Sequence, residues 1–304
     1  MIKGTRIWRN GEMVDWEEVT VHIISETFSY GIGVFEGIRC YQTDQGPAVF
    51  RLREHIQRLL NSGKILYLQI PYSAEELQAA VTETVRANKF QACYVRPMVY
   101  ISTYGGSTWD LRTAKVDVAV AAWDWGQYID DRTKDKGLRV KTSSYTRHHP
   151  NVHMTKAKAN ANYLNFALAR GEALRAGFDE ALLLDPQGLV AEGPVENVFM
   201  VKEGRIMTPP LTSILEGITR DTVLRLAEEA GLECREAPFS RDQILTADEA
   251  FFCGTAAEVA PIGEIDEVTI GQGRPGPITL KIKELFFRAA LGRDEKHSDW
   301  LTKV

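Results

Sequence analysis

Apolar residues recur every three or four positions in two consecutive segments of the chain, residues 54–66 and 74–88. This spacing places them on one face of a helix, because an α-helix turns once every 3.6 residues. The two segments therefore predict two amphipathic helices. Their apolar positions are Ile56, Leu59, Leu60, Leu77, Ala80, Val81 and Val85.

The stretches around these helices are rich in β-branched and aromatic residues, which is typical of strands. Residues 6–16 (RIWRNGEMVDW) predict two short strands around an Asn-Gly turn, and residues 21–41 continue the same composition. Residues 93–103 and 115–125 alternate apolar and polar positions, as half-buried strands do. This part of the chain is predicted to be a sheet with two helices.

The second half of the chain combines both patterns. Helical spacing is found at residues 159–176, 220–230 and 277–290. Strands separated by turns are predicted at residues 138–145, 180–185, 189–192, 196–202 and 205–208.

Between the two halves, the polar segment 128–137 (YIDDRTKDKG) carries clustered charge and no periodicity. We therefore predict a mixed α and β fold with a small N-terminal domain of residues 1–124. An interdomain linker of residues 125–137 is expected to lead to a larger C-terminal domain of residues 138–304.

Composition narrows the class of protein. The 304 residues are 44% hydrophobic, which is enough for a large core, and the formal net charge is −5 without a basic block. Nucleic acid is therefore not an expected partner. The four cysteines show no C-x-x-C spacing, and neither a signal peptide nor a membrane-spanning run is evident. We expect a cytoplasmic protein.

Two motifs suggest chemistry that their context does not support. The glycines of residues 31–37 (GIGVFEG) resemble a dinucleotide fingerprint, but the third glycine is one residue late and no amphipathic helix begins there. The histidines of residues 148–153 (HHPNVH) lack a carboxylate or cysteine at ligand spacing. We predict neither a Rossmann site nor a metal site.

Residues 156–165 (KAKANANYLN) place Lys156 and Lys158 before a predicted helix, one face of which carries Leu164, Ala167, Leu168 and Leu174. Side chains at such a junction are often exposed to a cleft, although most lysines are only solvated. Spacing alone does not choose between the two lysines.

The run K-A-N-A-N-Y-L at residues 158–164, followed in order by EGPVENVF, LEGITRD and FFCGTAAEVAP, resembles the fold-type IV, or class IV, pyridoxal-phosphate aminotransferases. Within that family the chain is most similar to the branched-chain amino-acid aminotransferases. The resemblance covers nearly the whole chain, from SYGIGVFEGIR through FRLREHIQRL and YVRP to a GPI motif near the C-terminus. It implies a small α/β N-terminal domain and a larger C-terminal pseudo-barrel domain.

The resemblance also implies site residues. Lys158 would form the Schiff base with pyridoxal 5′-phosphate (PLP) and act as the base, so that the C-terminal domain would carry this lysine, and Lys156 would face elsewhere. Glu192 would pair with the pyridine nitrogen, with Glu196 as its competitor. Tyr163 would also contact the cofactor.

The cofactor phosphate needs a cradle of hydrogen-bond donors. Thr219 suits an N-cap, Ile218 and Val223 suit a hydrophobic staple, and Gly231 suits the helix end. The amides of Ile218 and Thr219 would then bind the phosphate. The resemblance adds Arg58 and Thr255, and it places the phosphate cradle in the C-terminal domain.

Substrate recognition is implied for a further set. Tyr94 and Arg96 share one face of a strand, where Arg96 would hold the side-chain carboxylate of glutamate. Tyr94 would hold the α-carboxylate together with Thr255 and Ala256. The implied aromatic wall for an aliphatic side chain, and the glycine that leaves room in it, are Tyr30, Phe35, Tyr128, Tyr163 and Gly37.

The implied activity is reversible transfer of the amino group of L-leucine, L-isoleucine or L-valine to 2-oxoglutarate in a ping-pong cycle. The loop TYGGSTWD at residues 103–110 departs from the family pattern, so D-amino-acid or (R)-amine transaminase and aminodeoxychorismate lyase remain alternatives. A silent binding module is a further alternative, although it would normally have lost Lys158 or Glu192. The resemblance implies a homodimer or a larger homo-oligomer such as a hexamer.

Overall fold

The computed structural model describes residues 2–103, 110–126 and 136–304. Its contacts divide the chain into two compact units, each built around its own sheet. Unit 1 comprises Met1–Gly126, Lys156–Ala161 and Arg288–Val304, and unit 2 comprises Gln127–Thr155 and Asn162–Phe287.

The first eight strands precede the polar segment in the chain. They are β1 (Ile2–Lys3), β2 (Arg6–Arg9), β3 (Glu12–Asp15), β4 (Gly33–Phe35), β5 (Ile38–Thr43), β6 (Gly46–Phe50), β7 (Cys93–Tyr100) and β8 (Asp117–Asp124). The strands that follow are β9 (Leu138–Thr142), β10 (Glu180–Leu184), β11 (Val190–Glu192), β12 (Asn197–Lys202), β13 (Arg205–Thr208), β14 (Cys234–Glu236), β15 (Glu249–Gly254), β16 (Glu258–Ile265), β17 (Val268–Thr269) and β18 (Leu301–Lys303).

Five of the seven described α-helices agree closely with the helical spacing of the sequence, and the two short helices at residues 26–30 and 241–245 were not predicted. The seven are α1 (Glu26–Tyr30), α2 (Leu52–Ile65), α3 (Ala74–Ala87), α4 (Tyr163–Arg175), α5 (Ile218–Glu229), α6 (Arg241–Leu245) and α7 (Pro277–Ala290). The prediction of strand across residues 21–41 is wrong at α1, whose end is fixed by Gly31 at a φ of 70°. Glycine reaches this left-handed conformation without the steric cost that a side chain would add.

Unit 1 is an antiparallel sheet with strand order β18-β6-β5-β7-β8-β2-β3, and β1 and β4 pair with β8 and β7. Helices α2 and α3 bury their predicted apolar faces in the same core as the strands, where Ile56, Leu59, Leu77 and Val81 are completely buried. Burial of these side chains provides the main driving force for the unit.

Unit 2 contains a closed sheet. Its strands follow the order β11-β10-β9-β16-β15-β12, and a further pairing of β11 with β12 closes the circle. Strand β9 runs parallel to β10 and β16, whereas β15 is antiparallel to both of its neighbours. This closed, mixed sheet confirms the predicted pseudo-barrel fold.

Helix α4 packs with a different face from the predicted one. Phe166, Ala169 and Ala173 are buried, whereas Leu164 is 68% exposed and Leu174 is 53% exposed. The predicted face comprised Leu164, Ala167, Leu168 and Leu174, and Ala167 is exposed as well. The face that packs in the core instead combines Phe166 with the small Ala169 and Ala173.

The contact units differ from the predicted domains in two segments. Residues 156–161, which include Lys158, belong to unit 1 because Ala159 pairs with Val34. The C-terminal segment also belongs to unit 1, because β18 adds an edge strand beside β6. The predicted C-terminal domain of residues 138–304 is therefore not a single contact unit, and Lys158 lies outside unit 2. Most of the predicted linker lies outside the described residues.

Among the described helices, none is long and apolar enough to cross a lipid bilayer.

Candidate active site

Lys158 is held by its own backbone. Its amide donates a hydrogen bond to Oγ of Ser62 at 3.0 Å, and its carbonyl oxygen accepts one from the amide of Phe35 at 3.1 Å. The adjacent bridge between Val34 and Ala159 continues this pairing. Nζ of Lys158 lies 5.1 Å from the ring centre of Phe35. The side chain of this lysine therefore begins from a fixed point beside β4 and α2.

The surroundings of Lys158 favour its uncharged form. Burial lowers the pKa of the amine below its usual range, and the nearby positive charge of Arg58 lowers it further, while Glu36 acts in the opposite direction. A lowered pKa means that the amine loses its proton at a lower pH than an exposed lysine does. An uncharged amine can act as a nucleophile or a base.

Arg58 is bound by a buried carboxylate that no sequence pattern indicated. Glu36 is completely buried, and its Oε1 accepts from Nε of Arg58 at 2.6 Å while its Oε2 accepts from Nη2 at 2.9 Å. Nδ1 of His55 lies 2.6 Å from the same Oε2. Burial raises the pKa of Glu36, but Arg58 and His55 outweigh burial, and the pKa falls below its usual range.

Arg96 lies among aromatic rings. Its guanidinium carbon is 5.0 Å from the ring centre of Phe35, 5.4 Å from that of Tyr94 and 5.2 Å from that of Trp123. Nη2 of Arg96 donates to the Tyr94 hydroxyl at 3.4 Å, and its buried Nε has no hydrogen-bond partner among the described residues. Stacking on aromatic faces stabilises the cation without a counter-ion.

Gly37 is required by Tyr94 rather than by an open cavity. A Cβ at position 37 would collide with the Tyr94 hydroxyl.

Two tryptophans that the sequence analysis did not select also lie beside Tyr94. Trp123 on β8 and Trp125 just after it are two residues apart, as Tyr94 and Arg96 are on β7. Both tryptophan rings pack against Tyr94, at 5.0 and 4.5 Å between ring centres.

Tyr30 and Tyr128 are the two other residues that were predicted for the aromatic wall. Tyr30 is the last residue of α1 and is 55% exposed. Tyr128 lies outside the described residues, as does most of the loop of residues 103–110.

In unit 2, Glu192 is a second buried carboxylate with an arginine partner. Its Oε1 accepts from Nε of Arg147 at 2.6 Å. Its Oε2 accepts from Nδ2 of Asn197 and from the amide of Leu215, both at 3.2 Å. Several donors directed at one carboxylate fix its position.

Arg147 is the largest side chain among those that are almost completely buried, and no local pattern in the sequence indicated it. Its guanidinium carbon lies 4.7 Å from the ring centre of Phe166 on α4, and Nη1 lies 2.5 Å from Nε2 of His148. Burial, Arg147 and His153 lower the pKa of His148 to about 3, so its ring is neutral and can accept the bond. The histidine-rich loop thus supports Arg147.

Helix α5 begins two residues earlier than predicted. Gly217 is the N-cap, so the prediction that Thr219 is the N-cap is wrong, and Thr219 is buried in the first turn. A Cβ at position 217 would collide with Oδ1 of Asn197, so only glycine fits there. The amides of Ile218 and Thr219 lie in the first turn, where helix geometry leaves N–H groups without an intrahelical acceptor.

Three predicted residues of unit 2 remain, which are Thr255, Ala256 and Tyr163. Thr255 and Ala256 lie in the turn that connects β15 to β16. This turn follows Cys253, the residue of β15 that pairs with Asn197 of β12. Tyr163 begins α4 and packs edge-on against Phe166 at 5.3 Å.

Glu196, the competitor of Glu192, has different surroundings. Burial and the neighbouring Glu180 raise the pKa of Glu196 well above its usual range. Burial and Glu180 therefore disfavour the charged form of Glu196, whereas the Glu192 carboxylate is bound by the Arg147 cation.

Each unit thus groups part of the predicted site. Unit 1 brings together Lys158, Arg58, Arg96, Tyr94, Phe35 and Gly37. Unit 2 connects Glu192 through Asn197 to the start of α5, which carries Ile218 and Thr219.

Comparison with known proteins assigns this arrangement to a family. The sequence model of the family described as Amino-transferase class IV matches residues 33–265, which is more than half of the chain. The chain belongs to the class IV aminotransferases. The match begins at β4 and ends with β16, so it includes most of the predicted site residues of both units.

Individual class IV aminotransferases are similar over the full length. A Pseudomonas aeruginosa protein named branched-chain-amino-acid aminotransferase is 48% identical over 98% of this chain and 97% of its own length. The structure of a T.th. branched-chain amino acid aminotransferase with pyridoxamine 5′-phosphate has a TM-score of 0.96 at 45% identity, covering 100% of this chain and 99% of that one. The T.th. branched-chain amino acid aminotransferase complexed with N-(5′-phosphopyridoxyl)-L-glutamate has a TM-score of 0.95 at 45% identity, with the same coverage.

The pKa of Lys158 can be tested in the protein freed of its cofactor. Removing the positive charge of Arg58 with Arg58→Gln should raise the pKa of Lys158, because a cation that disfavours the ammonium form is lost and Glu36 remains. The pH dependence of carbamylation of Lys158 by cyanate, followed by peptide mapping, measures this pKa. Arg53→Gln, at an exposed position of α2, is the control. An unchanged or lower pKa in Arg58→Gln would contradict the assignment.

Proposed function

We propose that this chain is a branched-chain-amino-acid aminotransferase that transfers the amino group of L-leucine, L-isoleucine or L-valine to 2-oxoglutarate. The observation that carries the proposal is the 48% identity, over 98% of the chain, with a protein of that name. The similarity is not confined to one unit, so it includes both the lysine of unit 1 and the carboxylate of unit 2. Small amino acids and 2-oxo acids are therefore the partners we assign.

The cofactor is PLP, and the donor set of the chain fits it. The solved relatives contain pyridoxamine 5′-phosphate or a phosphopyridoxyl amino acid. The chain supplies an amine of lowered pKa, a fixed carboxylate, an arginine and first-turn helix amides. We assign Lys158 to the aldehyde and Glu192 to the pyridine nitrogen. The residues assigned to the phosphate and the ring are Arg58, Ile218, Thr219, Thr255 and Tyr163.

PLP supplies an electron sink for the electron pair that remains when the substrate Cα loses its proton. The uncharged Nζ of Lys158 would accept that proton, and burial together with Arg58 favours this uncharged form by lowering the pKa of the amine. Glu192 holds a proton at the pyridine nitrogen, and its bonds to Arg147 and Asn197 keep the carboxylate in one orientation. The backbone bonds of Lys158 to Ser62 and Phe35 limit the positions that Nζ can reach.

Two different side chains must use the same substrate pocket, because leucine and glutamate take part in the two half-reactions. Arg96 can serve both, since the rings of Phe35, Tyr94 and Trp123 stabilise its charge when an apolar side chain is bound. When glutamate is bound, the donors of Arg96 can pair with its side-chain carboxylate.

We further propose a homodimer or larger homo-oligomer of two-domain chains in the cytoplasm. Large apolar side chains are exposed along residues 21–30, which include α1, and such a concentration is unusual on the surface of a monomer. These residues are Val21, Ile23, Ile24, Phe28 and Tyr30. The four cysteines are free, as is usual in a reducing compartment.

The absorbance of the PLP-loaded protein tests the proposed reaction. We expect the visible band to fall on addition of L-leucine and to return on addition of 2-oxoglutarate. Lys158→Ala should lower kcat/KM at least about 1,000-fold because the base is lost, whereas Lys156→Ala should retain most activity. A response only to D-alanine or a primary amine would contradict the substrate assignment, and no visible band after PLP is added would contradict the enzyme assignment.

Replacement of Arg96 tests the two uses of the pocket. Arg96→Ala should lower kcat/KM for L-glutamate and 2-oxoglutarate about 100-fold, since a charge-assisted bidentate contact is lost, but change that for L-leucine by less than about fivefold. Steady-state kinetics with each substrate measures the ratio, and Arg53→Ala is the control. Equal losses for glutamate and leucine would refute the proposed role of Arg96.

A further inference from the structure

Glu36 is a completely buried carboxylate in unit 1 to which the reaction described above gives no role. It lies between β4 and β5, immediately after Phe35 and before Gly37. A buried carboxylate is costly unless it is paired and hydrogen-bonded, so its presence beside the proposed phosphate ligand requires an explanation.

Glu36 holds the guanidinium of Arg58 by a two-point contact. The bonds to Nε at 2.6 Å and to Nη2 at 2.9 Å involve both carboxylate oxygens. Such a fork fixes the plane of the guanidinium and therefore the direction of every one of its N–H groups. A long arginine side chain would otherwise lose rotational freedom on binding a ligand, which weakens binding.

Glu36 is itself fixed by its other neighbours. Nδ1 of His55 lies 2.6 Å from Oε2, and the amide of Gly37 donates to Oε2 at 3.2 Å. His55 and Arg58 lie one turn apart on α2, so they meet the carboxylate from the same helix face. The carboxylate is thus a rigid support between the β4–β5 connection and α2.

We propose that Glu36 is a positioning residue that orients the Arg58 guanidinium for the phosphate group of PLP. This inference rests on the proposed function, in which Arg58 is a phosphate ligand. Glu36 would not touch the phosphate itself, and its effect on phosphate binding would pass through Arg58. Its loss should therefore affect ligands that carry the phosphate and spare those that lack it.

The test compares binding of PLP with binding of pyridoxal, which lacks the phosphate, to full-length protein freed of cofactor. Glu36→Gln should raise the dissociation constant for PLP about tenfold or more, the loss expected when a charge-assisted bond is removed. The dissociation constant for pyridoxal should change less than about twofold. Glu54→Gln is a matched control, because it breaks the 2.7 Å ion pair between Glu54 and Arg51 at the start of the same helix.

A double-mutant cycle tests whether Glu36 affects PLP binding through Arg58. In the background of Arg58→Ala, adding Glu36→Gln should weaken PLP binding less than about twofold further, because the residue through which it acts is already gone. Full additivity of the two changes would overturn the inference, as would an equal loss for PLP and pyridoxal or no loss at all.

If Glu36→Gln does not fold, His55→Leu provides the same comparison, because it removes one support of the carboxylate and leaves Arg58 in place. It should weaken PLP selectively, and an equal effect on pyridoxal would overturn the inference. Failure of the wild-type protein to bind PLP would overturn the proposed function together with this inference. Normal wild-type binding with unchanged binding by Glu36→Gln would overturn this inference alone.

Discussion

The surroundings of Lys158 depend on one physical constraint, which is that charged groups taken out of water must be paired within the protein. Helix α2 satisfies this constraint with a single face. His55 and Arg58 bind the Glu36 carboxylate, and Ser62, one turn further along, accepts from the Lys158 amide. The same helix face therefore holds the backbone of the lysine and places a cation near its amine. The lowered pKa of Lys158 is a consequence of this arrangement.

Unit 2 also contains a buried carboxylate that is paired with an arginine. Glu192 is buried and accepts from Nε of Arg147 at 2.6 Å, as Glu36 does from Nε of Arg58. In both cases further N–H donors complete the coordination of the carboxylate. Buried ion pairs of this kind contribute little to stability compared with apolar packing, but they fix the geometry of charged groups. Their presence in both units is consistent with a chain whose structure is adapted to binding a charged cofactor.

The sequence predicted those features of the structure that depend on neighbours along the chain. The faces of α2 and α3 follow from periodicity, and the grouping of Tyr94 with Arg96 follows from strand alternation. The roles of Lys158 and Glu192 came from ordered motifs rather than from spacing. The face of α4 was predicted wrongly, because apolar residues lie on more than one face of this helix and periodicity cannot show which face the core covers. The cap of α5 was also predicted wrongly, because the need for Gly217 comes from Asn197, which lies elsewhere in the chain.

Glu36 and Arg147, which hold Arg58 and Glu192, were missed for a related reason. Glu36 meets Arg58 across 22 positions and Arg147 meets Glu192 across 45, so no local pattern connects the partners.

We propose that Lys158, and not Lys156, is the amine that binds PLP. Reduction of the PLP-loaded protein with borohydride, followed by mass spectrometry of its peptides, identifies the lysine that carries the cofactor. We predict a phosphopyridoxyl group on Lys158. A group on Lys156, or on any other lysine with Lys158 unmodified, would contradict it.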